Sequence, residues 1–325
     1  MQKSRMRMMF NSDTFGIVFI VAVMLFIMIV LRPNYLSRGN IISLARTLAI
    51  TAVIGFSQTA LLSVGGMNVA IGAIGGLCAV LSGVMMGWLG MMVGTAIVIS
   101  ILIGGFCGFL NGFLTLKLGG VGVASFLATL ATSFVFSGIT LTITRGKPIY
   151  NIPREFFSLG SASPLFFPNS IYFMLFLAAV LWFMYKYTGL GKQLLAFGGN
   201  EKAAQLYGVR IGRVVIISHL ISGLLAAFAG LLTVMRIEAA QTNIGTDWML
   251  MSMAAPLLGG TRLSGGKVNI AGVIFGAVVL VIIANALVHL KVDVYWTSLV
   301  NGLVILLVAG LDVVRVNRRK KLGLI

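Results

Sequence analysis

From Thr14 to Val313 the chain alternates between long apolar runs and short polar breaks. A hydrocarbon layer about 30 Å thick needs roughly twenty apolar residues in a helix to cross it, and most of the runs have that length. The pattern predicts about ten membrane segments: Thr14–Leu31, Ile41–Ser63, Val69–Leu89, Met92–Leu116, Val121–Thr144, Ile171–Tyr187, Val214–Met235, Trp248–Leu258, Ile270–Leu290 and Val294–Val313. The eighth run gives only about 16 Å of helix. It is expected to be re-entrant, or to be completed by flanking polar residues that line a water-filled space. The expected fold is therefore all-α and polytopic, one transmembrane domain over residues 1–325 with short re-entrant or broken segments.

Composition agrees with this pattern. Residues are 59% hydrophobic and 10% charged, with 40 glycines that allow close helix approach. The formal net charge of +17 raises nucleic-acid binding as a reading, but the basic residues gather in the breaks between apolar runs, as in membrane loops. The basic flank "MQKSRMRMMFNSDTFG" precedes the first run, and "LRPNYLSRGN" after it lacks a small-residue cleavage site, so an uncleaved first span is expected. With ten spans, sixteen Lys and Arg residues fall on the side of the termini and seven on the other, which predicts both termini in the cytoplasm. Arg46 lies within a span and outside this count, close enough to the span's end to snorkel outward.

No enzyme constellation can be assembled. The seven acids, Asp13, Glu155, Glu201, Glu238, Asp247, Asp293 and Asp312, all fall in or beside breaks. His219 and His289 are far apart and read as hydrogen-bonded packing, while Cys78 and Cys107 sit in apolar runs without metal-ligand spacing. An ion-coupled carrier usually holds an ionisable group deep in the membrane, and no carboxylate is placed there. A nucleotide-binding loop, G-x-x-x-x-G-K-S/T, is also missing, since Val268 follows Gly266-Lys267. Any ATP and magnesium used in transport would be bound by another polypeptide, and this chain is expected to bind no cofactor and no metal.

Neutral polar residues remain inside the apolar runs: Ser57, Gln58, Asn68, Asn111, Thr129, Asn285, Ser298 and Asn301. Amides and hydroxyls exchange hydrogen bonds with a hydroxylated solute without trapping a charge; interhelical hydrogen bonding is the plainer alternative for each. Two glycine-rich stretches, "SVGGMNVAIGAIGG" and "LGGTRLSGGKVNIAG", resemble one another and suggest an internal pseudo-repeat flanking a pathway. The candidate pathway residues are Gln58, Gly65, Gly66, Asn68, Asn111, Phe126, Thr129 and Asn285.

One polar, basic stretch interrupts the oil: "GGNEKAAQLYGVRIGR", Gly198 to Arg213. Asn200 suits an N-cap, Glu201 a first helical turn, and Gly208 a helix end. With "TGLGKQLLAF" before it, "SGLLAAFAGLL" and "LLGGTRLSGGKVNIAGVIFGAVVL" after it, and "NALVHLKVDVYWTSLVNGLVILLVAGLD" at the end, the chain resembles the permease subunits of bacterial ABC importers for ribose, galactose, xylose and arabinose. "FLNGFLTLKL", "ASFLATLATSFVFSGITLTITRGKPI" and "LLSVGGMNVAIGAIGG" extend the likeness over most of the chain.

The resemblance implies a transport subunit of the bacterial inner membrane and not an enzyme. Its implied partners are a cytoplasmic ATPase, an external substrate-binding protein, and a second permease copy or a paralogous one. It also implies that loop 188–213 carries a coupling helix for the ATPase, through Gly199, Asn200, Glu201, Ala203, Ala204, Leu206, Tyr207 and Gly208. Several positions depart from the family pattern. Asn68 replaces its aspartate and Ala70 its serine, Met249 stands at a glutamate position, Ala124 at a proline, and Asn301 where a basic residue is common. The expected cargo is a small hydroxylated solute, a monosaccharide first. The lost charge leaves open a more apolar or non-sugar solute, such as a nucleoside, or pairing with a different permease chain.

Overall fold

The computed structural model describes residues 13–163 and 166–292, with isolated positions between 296 and 306. The chain folds into twelve α-helices among the described residues: α1 (Asp13–Leu31), α2 (Arg38–Leu62), α3 (Ile71–Gly83, continued as a π turn over Val84–Trp88), α4 (Val93–Lys117), α5 (Val123–Thr144), α6 (Arg154–Ser161), α7 (Asn169–Tyr187), α8 (Gly189–Gly199), α9 (Glu201–Leu206), α10 (Ile211–Ile237), α11 (Trp248–Leu258) and α12 (Ile270–His289). The described β structure is a single bridge, Ile149 to Ala240. Among the described residues, seven helices are long and apolar enough to cross a membrane. With α1 and the short α11, nine of the expected runs coincide with helices. The tenth, Val294–Val313, lies largely outside the described residues.

Helix α10 is the axis of the molecule. It spans 27 residues, about 40 Å, and is buried along most of its length. Glycine sets how closely its neighbours approach. Gly104 on α4 packs against Ala227 and Gly223, Gly108 against the His219 backbone, and Gly75 on α3 against Gly230. Backbones meet where side chains would hold them apart, which is the usual source of helix association in lipid. Large apolar side chains instead project outward, among them Phe106, Phe134 and Phe176.

The described loops gather at two ends, as alternating spans require. At one end Gly66 meets Val121, and Gly198 meets Ser63 and Gly266. At the other, Ile149 pairs with Ala240 and Gly87 packs on Asn151.

Two elements were not visible in the hydropathy. Helix α6 is amphipathic and buries Phe156 and Phe157. Helix α8 opens on Thr188, whose hydroxyl accepts from the Gly191 N–H at 3.2 Å. The short α11 is completed by irregular chain on both flanks, with Ala239, Ala240 and Ile244 buried before it and Thr261 after it. Arg46 reaches the end of α6, where its guanidinium donates to the Ser161 carbonyl at 3.2 Å.

Candidate functional site

Between α2 and α3 the chain is non-helical from Ser63 to Ala70, inside a mostly buried segment. Irregular backbone at such depth is tolerated only when its polar groups find partners in the protein. Here side chains supply them. The Ser125 hydroxyl donates to the Met67 carbonyl at 2.8 Å. The Asn68 N–H reaches Gln58 Oε1 at 3.3 Å, and the Val69 N–H reaches the Thr129 hydroxyl at 3.0 Å. The Ala70 N–H is accepted by the Asn68 side chain at 2.9 Å, and Asn68 Nδ2 donates to Ser222 Oγ at 2.9 Å. Ser57 joins the same serine at 3.0 Å. His219 extends the cluster, with Nε2 3.2 Å from the Thr115 hydroxyl and 3.3 Å from that of Ser125, and Nδ1 2.9 Å from the Val215 carbonyl.

The expected pathway residues therefore divide. Gln58, Asn68 and Thr129 come together with Gly66, but as a closed knot that holds the broken segment, all buried. Gly65 packs on the Ser264 carbonyl. Asn111 is buried on α4 with neither amide atom hydrogen-bonded among the described residues. Phe126 lies half-buried on α5, its carbonyl accepting from Thr129. Asn285 is elsewhere, exchanging hydrogen bonds with Asn40 that tie α12 to α2.

None of these eight residues lines the larger cavity, which lies further along α3 and α5. That cavity has a volume of about 440 Å³, within the roughly 300–1,000 Å³ typical of small-molecule sites. One wall is Gly72, Ala73 and Gly76 of α3; the facing wall is Ser133, Ser137 and Thr140 of α5; segment 242–246 and Met249 close it. Segment 242–246 comes this close because a methyl on Gly72 or Gly76 would overlap the carbonyl oxygens of Gly245 and Ile244.

Among the described residues, the lining contains no charged side chain. Several of its hydroxyls spend their protons on nearby carbonyls: Ser133 on Leu130 at 2.6 Å, Thr140 on Phe136 at 2.9 Å and Thr246 on Asn243 at 3.0 Å. Their remaining lone pairs accept, and the Asn243 amide offers both donors and an acceptor. A neutral solute bearing many hydroxyl groups matches such a wall. Sequence reading passed over this set, although Ser133, Ser137 and Thr140 stand at i, i+4 and i+7 in an apolar run, the spacing of one helical face.

At the opposite end stands the hairpin of α8 and α9. Asn200 caps α9, its side-chain oxygen accepting the Ala203 N–H at 3.0 Å. Gln205 donates to Glu201 at 3.2 Å one turn apart. Gly208 ends the helix in the left-handed region at φ +81, and the Val209 N–H returns to the Ala204 carbonyl at 3.0 Å. Ala204 faces the chain's own interior, so it is not a contact surface. Leu206 and Tyr207 point the other way and are each 88% exposed.

The hairpin tip thus carries two large exposed apolar side chains, and the cavity with its uncharged lining lies toward the other end of the bundle. Comparison with known proteins shows the family: residues 40–309 match the one described as branched-chain amino acid transport system / permease component. The chain belongs to this permease family. It is a multi-pass inner-membrane protein and a transport component, not an enzyme. The permease is 34% identical over 297 residues to the ribose import permease protein RbsC of Bacillus subtilis (strain 168), with 89% of each chain covered. It is 30% identical over 306 residues to the D-allose transport system permease protein AlsC of Escherichia coli (strain K12), covering 92% of this chain and 91% of that one. The galactose/methyl galactoside import permease protein MglC of the same strain is 28% identical over 323 residues, covering 94% and 95%. No solved structure matches the permease at a comparable level of significance.

Proposed function

We propose that the permease forms the membrane pathway of an ATP-driven importer for a monosaccharide. The observation that carries the reading is the uncharged, hydroxyl-lined cavity of about 440 Å³ between α3, α5 and segment 242–246. Relatives named for ribose, allose and galactose transport support the same solute class. An ion-coupled carrier is less well supported, since the cavity lining offers no titratable group to couple to.

In this reading both termini and the α8–α9 hairpin are cytoplasmic, and loop 188–213 docks on a separate ATPase that binds the ATP and magnesium. Leu206 and Tyr207 enter a groove on that partner as apolar anchors. An external binding protein delivers the sugar, and a second permease copy or a paralogue completes the pathway. ATP binding changes the relative stability of outward- and inward-open states through contacts that differ between them.

The test is uptake into vesicles holding the assembled complex, with labelled pentoses, hexoses and nucleosides offered in parallel. Saturable ATP-dependent uptake of a pentose or hexose is expected. Uptake restricted to nucleosides, or to none of these solutes, would overturn the sugar assignment.

A further inference from the structure

Three segments distant in sequence meet at the hairpin end through backbone alone. The last turn of α8 brings Gly198 against the loop that leads into α3 and the loop between α11 and α12. A methyl on Gly198 would overlap the Ser63 carbonyl oxygen and stand 2.6 Å from the Gly266 nitrogen. That nitrogen donates to the same Ser63 carbonyl at 3.0 Å, locking the two loops together beneath α8. A methyl on Gly265 would lie 2.7 Å from the Gly65 nitrogen and 2.8 Å from the Gly198 carbonyl oxygen. Gly265 also has φ +86, which side chains rarely adopt.

We propose that this glycine junction is the relay through which movement of the hairpin reaches the cavity, with Gly198 and Gly265 as its positioning residues. The idea rests on the docking role of α9 proposed above. Helix α9 follows α8 with only Asn200 between them, so displacement of one displaces the other. Ser63–Gly66 leads within five residues into α3, whose Gly72, Ala73 and Gly76 form one cavity wall. Segment 264–266 follows α11, which carries Met249 of the same cavity. Contacts between backbones have no rotamers to absorb a shift, so the junction moves as a block and its input appears at both walls. Packed interfaces of this kind switch between arrangements and do not deform smoothly.

The test uses the complex of the permease with its ATPase in nanodiscs. Ser137→Cys serves as a cavity reporter, labelled with a water-soluble maleimide; Cys78 and Cys107 are buried. Vanadate trapping with ATP is expected to change the labelling rate about fivefold or more in the reporter background, the low end of ordinary allosteric coupling. Adding Gly198→Ala or Gly265→Ala should preserve ATPase association and hydrolysis while reducing that change below twofold. Gly94→Ala, which has open space around it, should leave it intact. Hydrogen exchange on the unsubstituted complex gives an arm independent of mutant folding: peptides covering 63–66 and 264–266 should change protection together on trapping. A Gly198→Ala complex that responds as the reporter parent does, or unchanged exchange in both peptides, overturns the relay. If Leu206→Asp leaves ATPase association undisturbed, the docking reading itself fails, which the relay variants alone would not show.

Discussion

At the scale of single residues, Asn68 shows how one amide can be structural where the sequence suggested a route. It accepts from the Ala70 N–H and donates to Ser222, and its own N–H is held by Gln58. Replacing it with leucine leaves the Ala70 donor unmatched in a buried site and takes from the Ser222 hydroxyl one of its two partners, at a cost of about 1–3 kcal/mol. Asn68→Leu is expected to lower the Tm of the detergent-purified permease by several degrees; an unchanged Tm would show that the knot contributes nothing. The sequence did reveal that Gln58, Asn68 and Thr129 are polar groups inside apolar runs. It did not reveal that they serve a broken helix, because that depends on the pairing of α2, α3, α5 and α10, which no local pattern encodes. The pairing of Asn285 was hidden for the same reason: its partner Asn40 lies 245 positions away.

At the scale of elements, α5 and the α8–α9 hairpin carry the two proposed roles. Ser133, Ser137 and Thr140 give α5 a polar face toward the cavity, while Phe134 and Val135 face outward. Ser137→Phe would fill space that the solute needs. Transport is predicted to fall at least about tenfold, with assembly and ATP hydrolysis retained, because an aromatic ring in a small-molecule cavity displaces its ligand. Equal uptake by the variant would place the route elsewhere. For the hairpin, Leu206→Asp combined with Tyr207→Asp removes both apolar anchors; each buried anchor is worth roughly 1.5–3 kcal/mol. Co-purification of the ATPase should fall more than tenfold, with membrane insertion unchanged. The hairpin was legible in advance, since Asn200, Glu201 and Gly208 are local helix signals and each performs as such. The inward turn of Ala204 was not, because alanine suits either face of a helix. Helix α8 was missed as an element because "GLGKQLLAFGG" is short and carries four glycines, although Leu190, Leu194 and Phe197 share one helical face.

At the scale of the whole molecule, the bundle is organised around α10 and separates a hairpin end from the end where Ile149 pairs with Ala240. Span alternation assigns these ends to opposite sides of the membrane. A cysteine placed at Tyr207 should be labelled only from the cytoplasm, and one at Tyr150 only from outside. Labelling of both from one side would overturn the assigned orientation. Most of this architecture could be read from run lengths, since a bilayer imposes them on any helix that crosses it. The cavity could not, because its walls come from α3, α5 and a segment beyond α10 that meet only after folding.

In the proposed function this permease supplies the solute route and a separate ATPase supplies the energy. Vesicles containing the permease with and without its ATPase, loaded with ATP or given a proton or sodium gradient, test it most directly, using uptake of the best monosaccharide. The account predicts uptake only when ATPase and ATP are both present, and none from either gradient. Gradient-driven uptake by the permease alone would contradict it.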